Sequence, residues 1–357
     1  MRSTSSFSVK ATSCLRGSRF ALLLGSAGLA LSLAVSASEA ATKQIAQAGV
    51  VFTADELGNT VSRVDLSSGA VTTVPVAVSP HNVQITADGR TLLVVGTESE
   101  EAAHGHGDAQ GTLLVFDAVR FGSASPVEVA VGEHPAHVVA DPAGKYALVT
   151  NSEDNNVSVI DLAAGKPQAV IPTGSFPHGL RISPDGKEAY VANVQDGTVS
   201  VLDLEESNEA VRIPVGKAPV QVGFSPDGAE VYVSLRDENK VAVIDTKSRK
   251  VVDRIGVRTG PIQVHATPDK RLVLVANQGT EAMPGDTVSV IDTKTRAVVK
   301  TIRTGSGAHG VAVDDQGRLA FVSNIYGDSL SIIDLSTLEV LATVPVGDGP
   351  NGVTYLK

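Results

Sequence analysis

Residues 177–216 read PHGLRIS PDGK EAYVAN VQDG TVSVLD LEESNE AVRIPVG. Two turn triplets, Pro184-Asp185-Gly186 and Gln195-Asp196-Gly197, place Pro and Gly where tight reversals favour them. They separate His178–Ser183, Glu188–Asn193, Thr198–Asp203 and Ala210–Val215, runs rich in valine, isoleucine and threonine. β-Branched residues suit a pleated, half-buried surface, so the stretch predicts four antiparallel strands. No part of the chain beyond residue 40 carries a convincing helical period.

The same cassette starts again at Pro80, Pro135, Pro219, Pro261 and Ala308, and its third strand always ends in aspartate. Those aspartates are Asp65, Asp117, Asp161, Asp203, Asp245, Asp292 and Asp334, spaced by 52, 44, 42, 42, 47 and 42 residues. A period near 42 over seven rounds is a repeat architecture. Seven four-stranded units can close a ring and leave no open sheet edge. The expected fold is therefore all-β, a seven-bladed β-propeller. Val50–Ala54, Thr60–Asp65 and Val71–Val76 supply a blade without its first strand, and Asn351–Leu356 supplies the missing one. Pairing of the two chain ends would close the ring.

Tyr146-Ala147-Leu148-Val149-Thr150-Asn151, Tyr190-Val191-Ala192-Asn193, Val273-Leu274-Val275-Ala276-Asn277 and Phe321-Val322-Ser323-Asn324 resemble the repeats of the YVTN (YncE-like) β-propeller family. The Val-Ser-Val-Ile-Asp runs ending at Asp161 and Asp292 fit the same family. The resemblance extends over residues 50–357 and implies the fold; the family hosts binding proteins, lactonases and lyases, so it leaves the activity open. Tryptophan is absent, which excludes the Trp-Asp repeat class.

The first forty residues differ in kind. Arg2, Lys10, Arg16 and Arg19 precede an apolar run from Phe20 to Val35, and Ser38-Glu39-Ala40 fits a cleavage site before Ala41. That order predicts a secretory signal peptide over 1–40, a short linker over 41–49 and a periplasmic or secreted product without a membrane span. Cys14, the single cysteine, falls within the leader, so the exported chain would hold no disulfide and no thiolate ligand. Loss of four basic residues and one acidic leaves 25 against 38, a net charge of −13. Such a surface repels phosphate backbones and anionic lipid heads, so nucleic acid is not expected as a partner.

Strand direction assigns the loops to faces. The cassette-start prolines and the loops after each Tyr-Val-x-Asn run share one face, the top, where Glu98–Gly111 and Gly279–Asp286 are the long connections. Arg120–Val127 is a longer connection on the bottom. Long loops on one side of a rigid scaffold are where function usually resides. His81, His178 and His309 follow directly on the cassette start, His134 and His137 flank it in the third blade, and His104 and His106 lie in the first long top loop. His265 falls inside an innermost strand. Asn82, Gln221, Gln263 and Asn351 occupy neighbouring ring positions.

Three readings of this ring stand open. Polar side chains can simply satisfy a narrow wet channel. His81, His137, His178 and His309 can converge on copper or zinc, for which imidazole is the suitable ligand in a cysteine-free protein, with His104, His106 and Asp108 as a lid or loading site. One channel histidine can instead act as general base in a lyase or lactonase. The reading carried forward is a monomeric, exported scaffold that binds a small ligand, protein or peptide at its top face, with a copper or zinc site at the channel mouth. A metal-free interaction propeller and a His-dependent enzyme are the alternatives.

The repeated aspartates and the Tyr-Val-x-Asn asparagines are expected to be structural, since a residue present in each blade serves a need of each blade. Gly305-Ser306-Gly307-Ala308-His309-Gly310 matches a dinucleotide pattern but sits between antiparallel strands, out of context. No HExxH, GxSxG or phosphate-loop motif occurs.

Overall fold

The computed structural model describes residues 48–98 and 110–357. They form seven four-stranded antiparallel sheets. The fourth blade shows the plan: Pro177–Ile182 is innermost, followed outward by Glu188–Asn193, Thr198–Asp203 and Asn208–Pro214. In the first blade, Pro350–Leu356 pairs antiparallel with Val50–Asp55, and Val51 faces Tyr355. Each innermost strand touches that of the next blade, and Pro350–Leu356 touches both Ala308–Val313 and Val78–Ile85, so the circuit closes.

The core lies between blades. Tyr190, Val199 and Val201 of the fourth blade pack on Val222, Val231 and Val233 of the fifth, and six further clusters join the remaining neighbours in the same way. The second and third strands are buried on both faces, which is why they read as near-continuous hydrophobic runs. The outermost strands alternate, as Lys250–Gly256 does, because one side faces solvent.

The repeated polar residues have the expected structural roles. Each recurrent aspartate accepts backbone N–H bonds from the turn that follows it; Asp203 Oδ1, for example, takes those of Glu205 and Glu206, both at 2.9 Å. Asn193 Nδ2 donates to Thr198 Oγ1 at 3.0 Å and Ser200 Oγ at 2.9 Å, fastening the end of the second strand to the third. Asn151, Asn277 and Asn324 do likewise.

The loops differ in part from expectation. Arg120–Val127 is a bottom connection as expected, anchored by the Phe121 ring 5.3 Å from that of Phe52. Gly279–Asp286 is not an open loop: its strands run on to Gly279 and from Pro284, and the reversal narrows to Thr280–Met283 with two backbone bonds of 3.0 and 3.1 Å. Backbone pairing continued there because Gly279 adopts φ 69°, which lets the ladder step by one residue. His104, His106 and Asp108 lie outside the described residues.

A candidate metal centre in the channel

The innermost strands are all bulged just after the cassette start; in the fourth blade the register slips between Pro177 and Leu180. A bulge re-aims side chains. It gives the channel wall three tiers: His81, His178 and His309 one residue past the start, then Asn82, His137, Gln221 and Gln263, then Gln84, Arg181, His265 and Thr354. Glycine at Gly179 belongs to this packing, since a Cβ there would lie 2.4 Å from Gln221 Oε1.

His81, His137 and His178, from three successive blades, meet. One ring nitrogen of each lies within 4.8 Å of the others. The ring centroids are 5.8 Å apart for His81 and His137, 5.1 Å for His81 and His178, and 5.0 Å for His137 and His178. His81 Nδ1 is 2.7 Å from the Ala136 carbonyl and His178 Nδ1 is 3.2 Å from that of Val220. A carbonyl only accepts, so each Nδ1 carries its proton and each Nε2 presents a lone pair. An outer carbonyl that fixes the tautomer is the usual support of a metal-binding histidine.

His137 is fully buried, with Gln221 Nε2 3.4 Å from its Nδ1 and Gln263 Nε2 3.4 Å from its Nε2. Gln221 is fixed in this sense, because its Oε1 takes the Val222 N–H at 2.8 Å and its Nε2 also donates to Gln263 Oε1 at 3.1 Å. A neutral imidazole has one lone pair to answer these two donors, so one contact is mismatched. Thr150 ties the pair together: its Oγ1 accepts the His137 N–H at 2.9 Å and donates to the His178 carbonyl at 2.7 Å. The sequence signal for Thr150 is a hydroxyl at the next-to-last place of the second strand, repeated in Ser323 before Asn324 and in Ser234 before Leu235.

Burial holds the His137 and His178 rings well below the usual histidine pKa, and the neighbouring imidazoles act in the same direction. Both are therefore neutral at pH 7, the state that binds metal. Three imidazoles are the ligand set of three-histidine zinc sites, which keep a fourth position for water or substrate.

The other expected ligands do not join them. His309 is buried with its Nδ1 unbonded, outside the triad, and burial pushes its pKa down to about 4 against the opposing pull of Glu56. Glu56, absent from the sequence-based set, accepts the Asn351 Nδ2 hydrogen bond at 2.7 Å. His134 is exposed, with φ 49° and its ring 5.9 Å from that of Phe176. His265 lines the opposite end of the channel beside the inner hairpin turns, so the histidines are not all at the top. It lies four residues past Pro261, too deep along the strand to reach the upper tier.

The family model for the YNCE-like beta-propeller matches residues 127–356. No curated protein sequence matches the chain. Among solved structures it is similar to Kuenenia stuttgartiensis hydrazine synthase, at 24% identity and TM-score 0.65 over 76% of this chain and 88% of that one. It is also similar to a functionally unknown protein from Desulfotomaculum acetoxidans, at 16% identity and TM-score 0.71 over 86% and 98%. A third is a "putative 6-phosphogluconolactonase" from Bacteroides uniformis, at 17% identity and TM-score 0.70 over 87% and 100%. At these identities the likeness is one of fold. The chain belongs to the YNCE-like β-propellers.

Proposed function

We propose that this protein is an exported propeller that holds a copper or zinc ion in its channel through His81, His137 and His178, and uses the open coordination position to take a ligand at its top face. The observation that carries the reading is the convergence of three ring nitrogens within 4.8 Å of one another, two of them with the tautomer set by a backbone carbonyl. Imidazole suits both metals, and the cluster contains no softer or harder donor to separate them.

Metal uptake measures this directly. In a background carrying His104→Ala and His106→Ala, to silence the loop, titration calorimetry and elemental analysis should give one equivalent of Cu(II) or Zn(II). His81→Ala or His178→Ala should each weaken binding by at least ~10-fold, because three ligands become two. Cu(II) should show nitrogen coupling in its electron paramagnetic resonance spectrum. Uptake below one equivalent, or uptake indifferent to His81→Ala and His178→Ala together, overturns the reading.

A further inference from the structure

Below the tier of His137, Gln221 and Gln263, the channel widens into a cavity of about 510 Å³ between the inner hairpin turns. Arg181 of the fourth blade and His265 of the sixth reach into it, with Gln84 of the second blade and Thr354 of the first on the remaining wall. Arg181 Nη1 donates to the Leu180 carbonyl at 2.8 Å, its one hydrogen bond among the described residues. A guanidinium has five N–H donors, so most of them face the cavity unanswered. No ion pair among the described residues includes it, and burial acts on it without a compensating carboxylate, pulling its pKa down to about 10.

Arg181 is half-buried, and a cation that faces a channel with no opposite charge beside it is poised for a ligand that supplies one. The surroundings fit a small anion. His265 is neutral, held down to about 4 by burial and by Arg181, so it does not compete as a second cation. Thr354 Oγ1 accepts the Ile85 N–H at 3.3 Å, which leaves its own hydrogen to donate. Lys357 stands at the rim with Asp88 and Asp315. Asp88 is already engaged by Thr86 Oγ1 at 2.7 Å and the Arg90 N–H at 3.0 Å. These rim carboxylates and the acidic exterior disfavour polyanions and leave room for a compact one.

We propose that this lower end of the channel is a binding site for a small oxyanion, a carboxylate or phosphate group gripped by the free N–H edge of Arg181. A planar fork of donors matches either group in two parallel bonds. The cavity volume is that of a small-molecule site rather than of a macromolecular surface. The site uses none of the three histidines as a ligand, although Gln263, which lines the cavity, also contacts His137.

The experiment is thermal unfolding and titration calorimetry of EDTA-treated protein with inorganic phosphate, with succinate, and with sodium chloride at matched ionic strength. The proposal expects phosphate or succinate to raise Tm by several degrees over chloride and to bind with one-to-one stoichiometry; which of them does so identifies the group. Arg181→Met should fold, unfold no earlier than the parent in chloride, and lose the anion-specific shift. Arg181→Lys should weaken binding at least ~10-fold, because a point charge replaces the fork. Equal shifts in all three salts overturn the proposal, as does a shift that survives in Arg181→Met. Should Arg181→Met fail to fold, an unchanged Kd in Arg181→Lys overturns it instead.

Discussion

The middle strands of the seven blades and their innermost strands obey different rules. Along the second and third strands the same residue types recur at the same places: the asparagine that fastens two strands, the hydroxyl before it, the aspartate that closes the turn. Along the channel the residue type changes around the ring: two places past the cassette start stand Asn82, His137, Gly179 and Gln221 in successive blades, and agreement between neighbours is confined there to Gln221 with Gln263 and Gly310 with Gly352. Periodicity marks what each blade needs to stand, and its loss marks what the whole ring holds between blades. The comparison also isolates a break within the periodic part. Asp55 occupies, in the first blade, the place that Asn193 occupies in the fourth. Thr53, Thr60 and Ser62 donate to its carboxylate at 2.7, 3.0 and 2.6 Å, the net in which asparagine elsewhere acts as donor.

That break carries the largest expected effect. Asp55 is fully buried, and desolvation raises its pKa from 3.8 to about 6 although its hydrogen bonds to Ser62, Thr53 and Thr60 pull the other way. A folded-state pKa above the unfolded one means that the protonated form favours folding. This contribution is full below about pH 3.8 and is lost as pH rises through about 6. The loss amounts to about 3 kcal/mol at neutral pH. Asp55→Asn should therefore stabilise the protein by up to that amount at pH 7.5 and by almost nothing at pH 3.5, in urea unfolding. A substitution effect independent of pH would show that the carboxylate is not the cause.

Asn193→Ala attacks the periodic net where it is intact. It removes the donor to Thr198 and Ser200 and opens a small void, at a cost of about 2 kcal/mol. Asp203→Ala unties a turn that is more accessible to water, and should cost about 1 kcal/mol. If the two costs are reversed, the turn rather than the strand joint is what the repeat preserves.

The frame was legible in the sequence for the same reason that it is periodic. Asp65 to Asp334 and the Tyr-Val-x-Asn runs repeat, so one blade instructs the reading of the others, and the first strand carried on Asn351–Leu356 followed from the count. The channel was legible only in part. Adjacency to the cassette start brought His81 and His178 together with His137, but the same rule included His309, which stands outside the triad. Sequence position gives depth along a strand and not direction around the ring, and the bulge alters even the depth. Arg181 was hidden for a related reason: one arginine in an apolar-alternating strand has no repeat to compare with, and its isolation from carboxylates exists only in three dimensions. Asp55 was hidden by its resemblance to Asn, which has the same shape but is neutral and carries an N–H donor.

The smallest effect on stability is expected where the functional claim is largest. The His178 ring borders the channel, its Nδ1 bond to Val220 is long at 3.2 Å, and its backbone carbonyl, not its ring, takes the Thr150 hydroxyl. Its removal exposes no core surface and leaves the ladder from Leu180 onward unchanged. His178→Ala should thus alter urea unfolding of metal-free protein by no more than ~0.5 kcal/mol. Addition of Zn(II) should then separate parent from variant, since an ion bound only by the folded state stabilises it in proportion to the logarithm of its concentration over Kd. A large loss of stability in the metal-free comparison would assign His178 to the frame, and the contrast between repeating and non-repeating strands would fail at its most informative residue.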